Sequence, residues 1–137
     1  MYNLFIWGQV VLESGEDYLE AIVALELKIK SVRPVDVAHF LSVSKPSVSR
    51  AMKVLEDHGY ITHVPYGAIC LTDKGRLKGR EIYSRHTFLT TFLIEVIHVE
   101  PETAQKEACR MEHVLSEQTM EKLKTFYESY KRSTQLG

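Results

Sequence analysis

Apolar residues recur at helical spacing along most of this chain. From Glu16 to Lys30, Tyr18, Ile22, Leu25 and Ile29 fall at i, i+4, i+7 and i+11, which predicts a helix with one buried face. Ser14 or Gly15 stands where a cap belongs, and Glu16 and Asp17 suit the positive end of the helix dipole. Pro34 opens a second, short helix over Val35–Leu41. Ser44-Lys45-Pro46 reads as a serine cap followed by a proline in the first turn, where the missing N–H costs little. This third helix is expected to reach about His58, with Val48, Ala51, Met52 and Leu55 on one face and Gly59 as its stop. The pattern then changes to two β-prone runs, Tyr60–Val64 and Ala68–Leu71, around Pro65-Tyr66-Gly67, which predicts a small hairpin. Helical spacing resumes at Thr72 or Asp73 in a fourth helix reaching Ile97. Pro101 opens a fifth helix ending near Leu115, and Ser116 with Glu117 starts a sixth reaching about Lys131.

Two short helices joined by a tight turn and followed by a β-ribbon describe a winged helix-turn-helix. The fold class expected is therefore mainly α: an N-terminal winged helix-turn-helix and then an all-helical domain. The organisation expected is an apolar arm at 1–13, a DNA-binding unit at 14–78 and a helical dimerisation and metal-binding unit at 79–137. The third helix would enter the major groove, presenting Ser44, Lys45, Pro46, Ser47, Ser49 and Arg50. Small hydroxyls allow close approach to phosphates and base edges, and Arg50 can form a paired contact to guanine. Tyr66 at the hairpin tip would touch the DNA backbone. The plainer alternative is two packed helices with a solvated polar face, since such folds also serve as protein-interaction modules.

Composition narrows the class. The 137 residues are 45% hydrophobic and 26% charged, enough to bury a core in one domain or two small ones. Net charge is only -1, but it is unevenly spread. Lys28, Lys30, Arg33, Lys45, Arg50 and Lys53 face a single acid, Asp36, over residues 28–53, whereas residues 95–121 hold seven Glu against Lys106 and Arg110. A basic first half is what a DNA-facing surface needs. Two cysteines, Cys70 and Cys109, are too few for a disulfide scaffold and suit a reducing cytoplasm. The apolar start lacks a basic flank and a cleavage site and is too short to cross a bilayer, so no membrane partner is expected. No His-Glu-x-x-His motif, nucleophile–base pair or glycine-rich phosphate loop appears, so an enzyme is not expected.

A second set of residues carries metal chemistry. Cys109, Glu112 and His113 fall at i, i+3 and i+4, which places a thiol, a carboxylate and an imidazole on one helix face. Asp17 and Glu20 are again i, i+3 on the first helix, and His86 follows Arg85 on the fourth. Taken singly, His113 reads as a hydrogen-bonded interfacial histidine, Cys109 as a small buried hydrophobe, and Asp17 with Glu20 as a solvated helix start.

Four blocks resemble the diphtheria toxin repressor family of metal-dependent repressors: Glu16-Asp17-Tyr18-Leu19-Glu20, Ser44-Lys45-Pro46-Ser47-Val48-Ser49, Arg85-His86, and the run from Glu107 to Ser116. The similarity spans roughly residues 12–133, in the branch without an SH3-like domain. It implies a homodimeric repressor of metal-homeostasis genes that binds operator DNA when loaded with Fe2+ or Mn2+. It also implies a principal site of Asp17, Cys109, Glu112 and His113, beside a second position of Glu20 and His86 that shares Glu112. Iron-responsive members usually carry Met at the position of Asp17, and manganese-responsive members carry Glu at the position of Cys109, so this chain mixes two branches. Thr90 and Gln105 stand where iron-type members place ancillary ligands. The alternative function is a winged-helix regulator answering to a small organic ligand or to oxidation of Cys109.

Overall fold

A computed structural model describes residues 4–63 and 67–136, and the chain is mainly helical, with six helices and one two-stranded sheet among those residues. The first helix, α1, runs Leu4–Glu26. It begins well before Ser14 and Gly15, the expected caps, because no proline interrupts the preceding run and Gly15 sits in open space inside the helix. It also stops before Ile29. The amides of Lys28 and Ile29 both turn back to the Leu25 carbonyl, each at 2.9 Å, and Ile29 is exposed rather than part of the buried stripe.

Helix α2 spans Pro34–Leu41, and the Asp36 carboxylate accepts the Arg33 amide at 2.9 Å ahead of it. It ends in a left-handed residue that is not glycine, Ser42 (φ 56°). The Ser42 and Val43 amides bond back to the His39 and Ala38 carbonyls at 3.3 and 3.0 Å, which satisfies the helix end. Ser44 then caps α3 (Lys45–Asp57), accepting the Ser47 amide at 3.3 Å. Gly59 (φ 78°) stops α3 as the sequence predicts, with the Gly59 and Tyr60 amides returning to Glu56 and Leu55 at 3.0 and 2.9 Å. Strands β1 (Ile61–His63) and β2 (Ile69–Leu71) pair antiparallel, with Ile61 and Ile69 inward and Thr62 opposite Cys70 on the exposed face. The order helix, helix, helix, hairpin is the winged helix-turn-helix.

Helix α4 spans Asp73–Glu95, ending before Ile97 as the chain turns away through left-handed His98. Its first turn is seated closely on the end of α3. Thr72 Oγ1 accepts the Gly75 amide at 3.0 Å and donates to the Gly59 carbonyl at 2.6 Å. Lys74 Nζ donates to the His58 carbonyl at 2.8 Å and lies 4.6 Å over the Tyr60 ring. A Cβ on Gly75 would fall 1.8 Å from the Tyr60 carbonyl oxygen, so only glycine permits this approach.

The chain divides into two compact units, Met1–Tyr83 and Ser84–Gly137, and the division falls inside α4. In the first unit, Tyr18, Leu19, Ile22 and Leu25 of α1 bury against Val48, Met52 and Leu55 of α3, with Ile61, Ile69 and Ile82 completing the core. In the second, α5 (Pro101–Met111) and α6 (Glu117–Leu136) build a separate core with α4 around Leu89, Ala108 and Met120. Helix α5 is shorter than its apolar spacing predicts, and α6 is longer.

Candidate functional site

The first turn of α3 faces water. Its buried side is filled by Val48, Met52 and Leu55, so Lys45, Pro46, Ser49 and Arg50 project outward with capping Ser44, while Ser47 is half-buried. The two serine hydroxyls lie 2.9 Å apart, and Arg50 Nη2 donates to Ser47 Oγ at 3.4 Å, which draws the guanidinium toward the helix start. A row of hydroxyls and a cation at the positive end of a helix is what phosphate and base edges require. Behind this face, Tyr18 of α1 is buried. Burial pushes its phenol above the ordinary tyrosine range, with the Arg50 charge acting in the opposite direction and Asp17 adding to the rise. Tyr66, the expected wing contact, lies outside the described residues.

The candidate metal ligands of the second unit come together around Glu112. This residue is buried (3% exposed), the one buried charged side chain among the described residues. One of its oxygens lies 2.9 Å from His86 Nδ1 and the other 3.4 Å from His113 Nε2. Cys109 Sγ, a Glu112 oxygen and a His113 ring nitrogen all lie within 4.8 Å of one another. A single carboxylate thus faces imidazoles from α4 and from the end of α5, with a thiol beside it.

The ligand face is built differently from the sequence expectation. Only Cys109 lies within α5; Glu112 is its C-cap, with helical φ and ψ of -60° and -25°, and His113 follows it. The Glu112 amide still reaches Ala108, four residues back, at 3.0 Å, whereas the His113 amide reaches Arg110, three residues back, at 3.3 Å. The final turn tightens, yet all three side chains stay on the expected side. Asp17 and Glu20 lie one turn apart on α1 in the first unit, both half-buried.

The donor set suits a divalent transition metal. A buried carboxylate, a thiol and imidazole nitrogens are borderline ligands for Fe2+ and later metals, and carboxylate also takes Mn2+. Two contributors were not singled out from the sequence for the work they do. Lys74 anchors the end of α3, and Arg85 donates from Nη2 to the Leu115 carbonyl just beyond the ligand turn. The glycines at 75 and 79, i and i+4 on one helix, were the available signal for close backbone approach in the first case.

Comparison with known proteins matches both halves of the chain. Residues 11–69 match the iron dependent repressor N-terminal DNA binding domain, and residues 72–135 match the iron dependent repressor metal binding and dimerisation domain. An HTH-type transcriptional regulator of Methanocaldococcus jannaschii is 34% identical over 120 residues, covering 87% of this chain and 96% of that protein. The transcriptional regulator MntR of Salmonella typhimurium is 33% identical over 120 residues, covering 88% of this chain and 76% of the relative. Among solved structures, the manganese regulator SloR superposes with a TM-score of 0.75 at 27% identity, covering 83% of this chain and 53% of its own. A manganese-dependent transcriptional repressor in complex with manganese gives a TM-score of 0.73 at 28% identity, covering 81% and 51%. The chain spans about half the length of these solved relatives. No described helix is long and apolar enough to cross a membrane. With both family domains matched in order along its length, this chain belongs to the iron-dependent repressor family of metal-dependent, dimerising transcriptional regulators.

Proposed function

We propose that this chain is a cytoplasmic homodimeric repressor whose hold on the operator DNA of metal-homeostasis genes is set by bound Fe2+ or Mn2+. The observation that carries the proposal is the buried Glu112 carboxylate, directed at His86 and His113 and adjoined by Cys109. A carboxylate withdrawn from water is costly unless a cation balances it, and a divalent ion would balance it while also taking the half-buried Cys109 sulfur as a ligand. Following the family resemblance, the principal ligands are Asp17, Cys109, Glu112 and His113, and Glu20 with His86 forms the second position. Cys109 is a soft ligand and favours Fe2+ over Mn2+, whereas solved relatives are described as manganese regulators. We assign the chain no catalytic role.

Ser44, Lys45, Pro46, Ser47, Ser49, Arg50 and Tyr66 are the proposed operator-facing residues. Because the ligands come from both family domains, metal and operator each raise the affinity of the other by the same factor. Gel shift on the protein's own upstream DNA tests this, with chelator, with Mn2+, and with Fe2+ under anaerobic conditions. Metal should tighten operator binding by roughly 5–150-fold, the usual range for such coupling. Glu112→Ala should keep the weak metal-free binding and lose the metal response. Identical operator affinity with and without metal would refute the proposal.

A further inference from the structure

Arg85 immediately precedes His86 on α4 and is largely buried, with only 18% of its side chain exposed. Its Nη2 donates to the Leu115 carbonyl, and its Nη1 lies 3.7 Å from the Glu117 carboxylate. The Nε is buried and makes no hydrogen bond among the described residues, so the guanidinium holds its surroundings through the two terminal nitrogens. Leu115 stands two residues beyond His113, and Glu117 opens α6.

The segment these contacts grip is irregular. Helix α5 ends at Met111, and the Val114 and Leu115 amides both return to the Met111 carbonyl at 3.1 Å. Carbonyls at such a helix end lack intrahelical partners and need donors from elsewhere. Arg85 supplies one at Leu115. Its neighbour His86 meets the other end of the same segment at Glu112 Oε2, 2.9 Å away. Consecutive residues of one rigid helix thus pin the ligand turn on both sides.

We infer that Arg85 is a positioning residue for the metal centre, holding the Glu112–His113 turn in register with His86 through the Leu115 carbonyl. This rests on the metal-centre reading above. The sign of the effect separates positioning from charge. A cation near a cation site opposes metal binding by Coulomb repulsion, so if Arg85 acted only through charge, its removal would tighten binding. If it positions the turn, removal weakens binding, as loss of an outer partner typically does by about 10–100-fold.

The experiment is Co2+ titration of the full chain without DNA, following affinity and the ligand-field absorption at saturation, with circular dichroism of the apo protein alongside. Arg85→Met should bind Co2+ about 10–100-fold more weakly and show an altered ligand-field band at saturation while keeping the apo helical spectrum. Arg85→Lys, which keeps a donor for the Leu115 carbonyl, should recover part of both. Glu117→Gln should match the wild type, because the exposed carboxylate only meets the guanidinium from the solvent side. Unchanged or tighter Co2+ binding by Arg85→Met overturns the inference. Should Arg85→Met fail to fold, Arg85→Gln decides by the same readouts, with wild-type affinity and band again overturning it. Absence of a thiolate-to-Co2+ band in the wild type, or a band that survives Cys109→Ser, removes the metal-centre reading and this inference with it. A wild-type band lost in Cys109→Ser but unmoved in Arg85→Met strikes the inference alone.

Discussion

At the scale of single residues, spacing reveals which side of a helix a group occupies but not how deep it lies. Cys109, Glu112 and His113 were identifiable from i, i+3, i+4 alone, and their side chains do gather. That Glu112 is the buried member, with one oxygen toward each of two histidines, is a fact of the folded chain that spacing does not record. The outward residues of α3, proposed to face DNA, were easier to place, because a serine cap, a proline and an opposing apolar stripe fix the outward side of a short helix. Arg50 is the residue there with reach for a base edge. We predict that Arg50→Ala lowers specific operator affinity by roughly 1–3 kcal/mol and leaves metal affinity without DNA unchanged. Competition binding on operator and unrelated duplexes checks this. Equal losses on both would place Arg50 on phosphate, and no loss on either would remove α3 from the interface.

At the scale of elements, starts and stops made by local chemistry were legible, and those made by neighbours were not. Pro34, the Ser44 cap, Gly59 and Pro101 act within a turn of themselves, and the helices begin or end there. The end of α1 before Ile29 and the end of α5 at Met111 have no such marker; apolar periodicity runs past both, and the chain leaves the helix all the same. Glycines show the same contrast. Gly15 has nothing within 4 Å, so Gly15→Ala should stabilise the protein by up to about 1 kcal/mol through helix propensity. Gly75 has the Tyr60 carbonyl at 1.8 Å from a would-be Cβ, so Gly75→Ala should destabilise by about 1–3 kcal/mol despite the same gain in propensity. Thermal denaturation of both variants reads the two signs. A destabilising Gly15→Ala would mean that α1 starts at a cap near Ser14 after all, and a neutral Gly75→Ala would mean that α4 can lift from Tyr60 without cost.

At the scale of the whole molecule, each unit has its own apolar cluster, one around Ile22, Val48 and Ile61 and the other around Leu89, Ala108 and Met120. Neither cluster contains a candidate metal ligand. Chelation should therefore leave a helical, dimeric protein with weak operator affinity, and metal at 100 times its dissociation constant should raise stability by about 2.7 kcal/mol by mass action. Circular dichroism, size exclusion and thermal melts with and without chelator decide. An unfolded apo protein would make the metal a folding element rather than a switch. The helical class, the order of the elements, the outward face of α3 and the shared helix side of Cys109, Glu112 and His113 were legible in the sequence, because each depends on interactions within a few residues along the chain. Tertiary structure alone decided that Glu112 is withdrawn from water between two histidines, that Arg85 reaches the carbonyl of Leu115, and that Gly75 must lack a side chain against Tyr60. The His86–Glu112, Arg85–Leu115 and Tyr60–Gly75 contacts join residues 26, 30 and 15 positions apart, and no local periodicity records which distant groups the folded chain brings together.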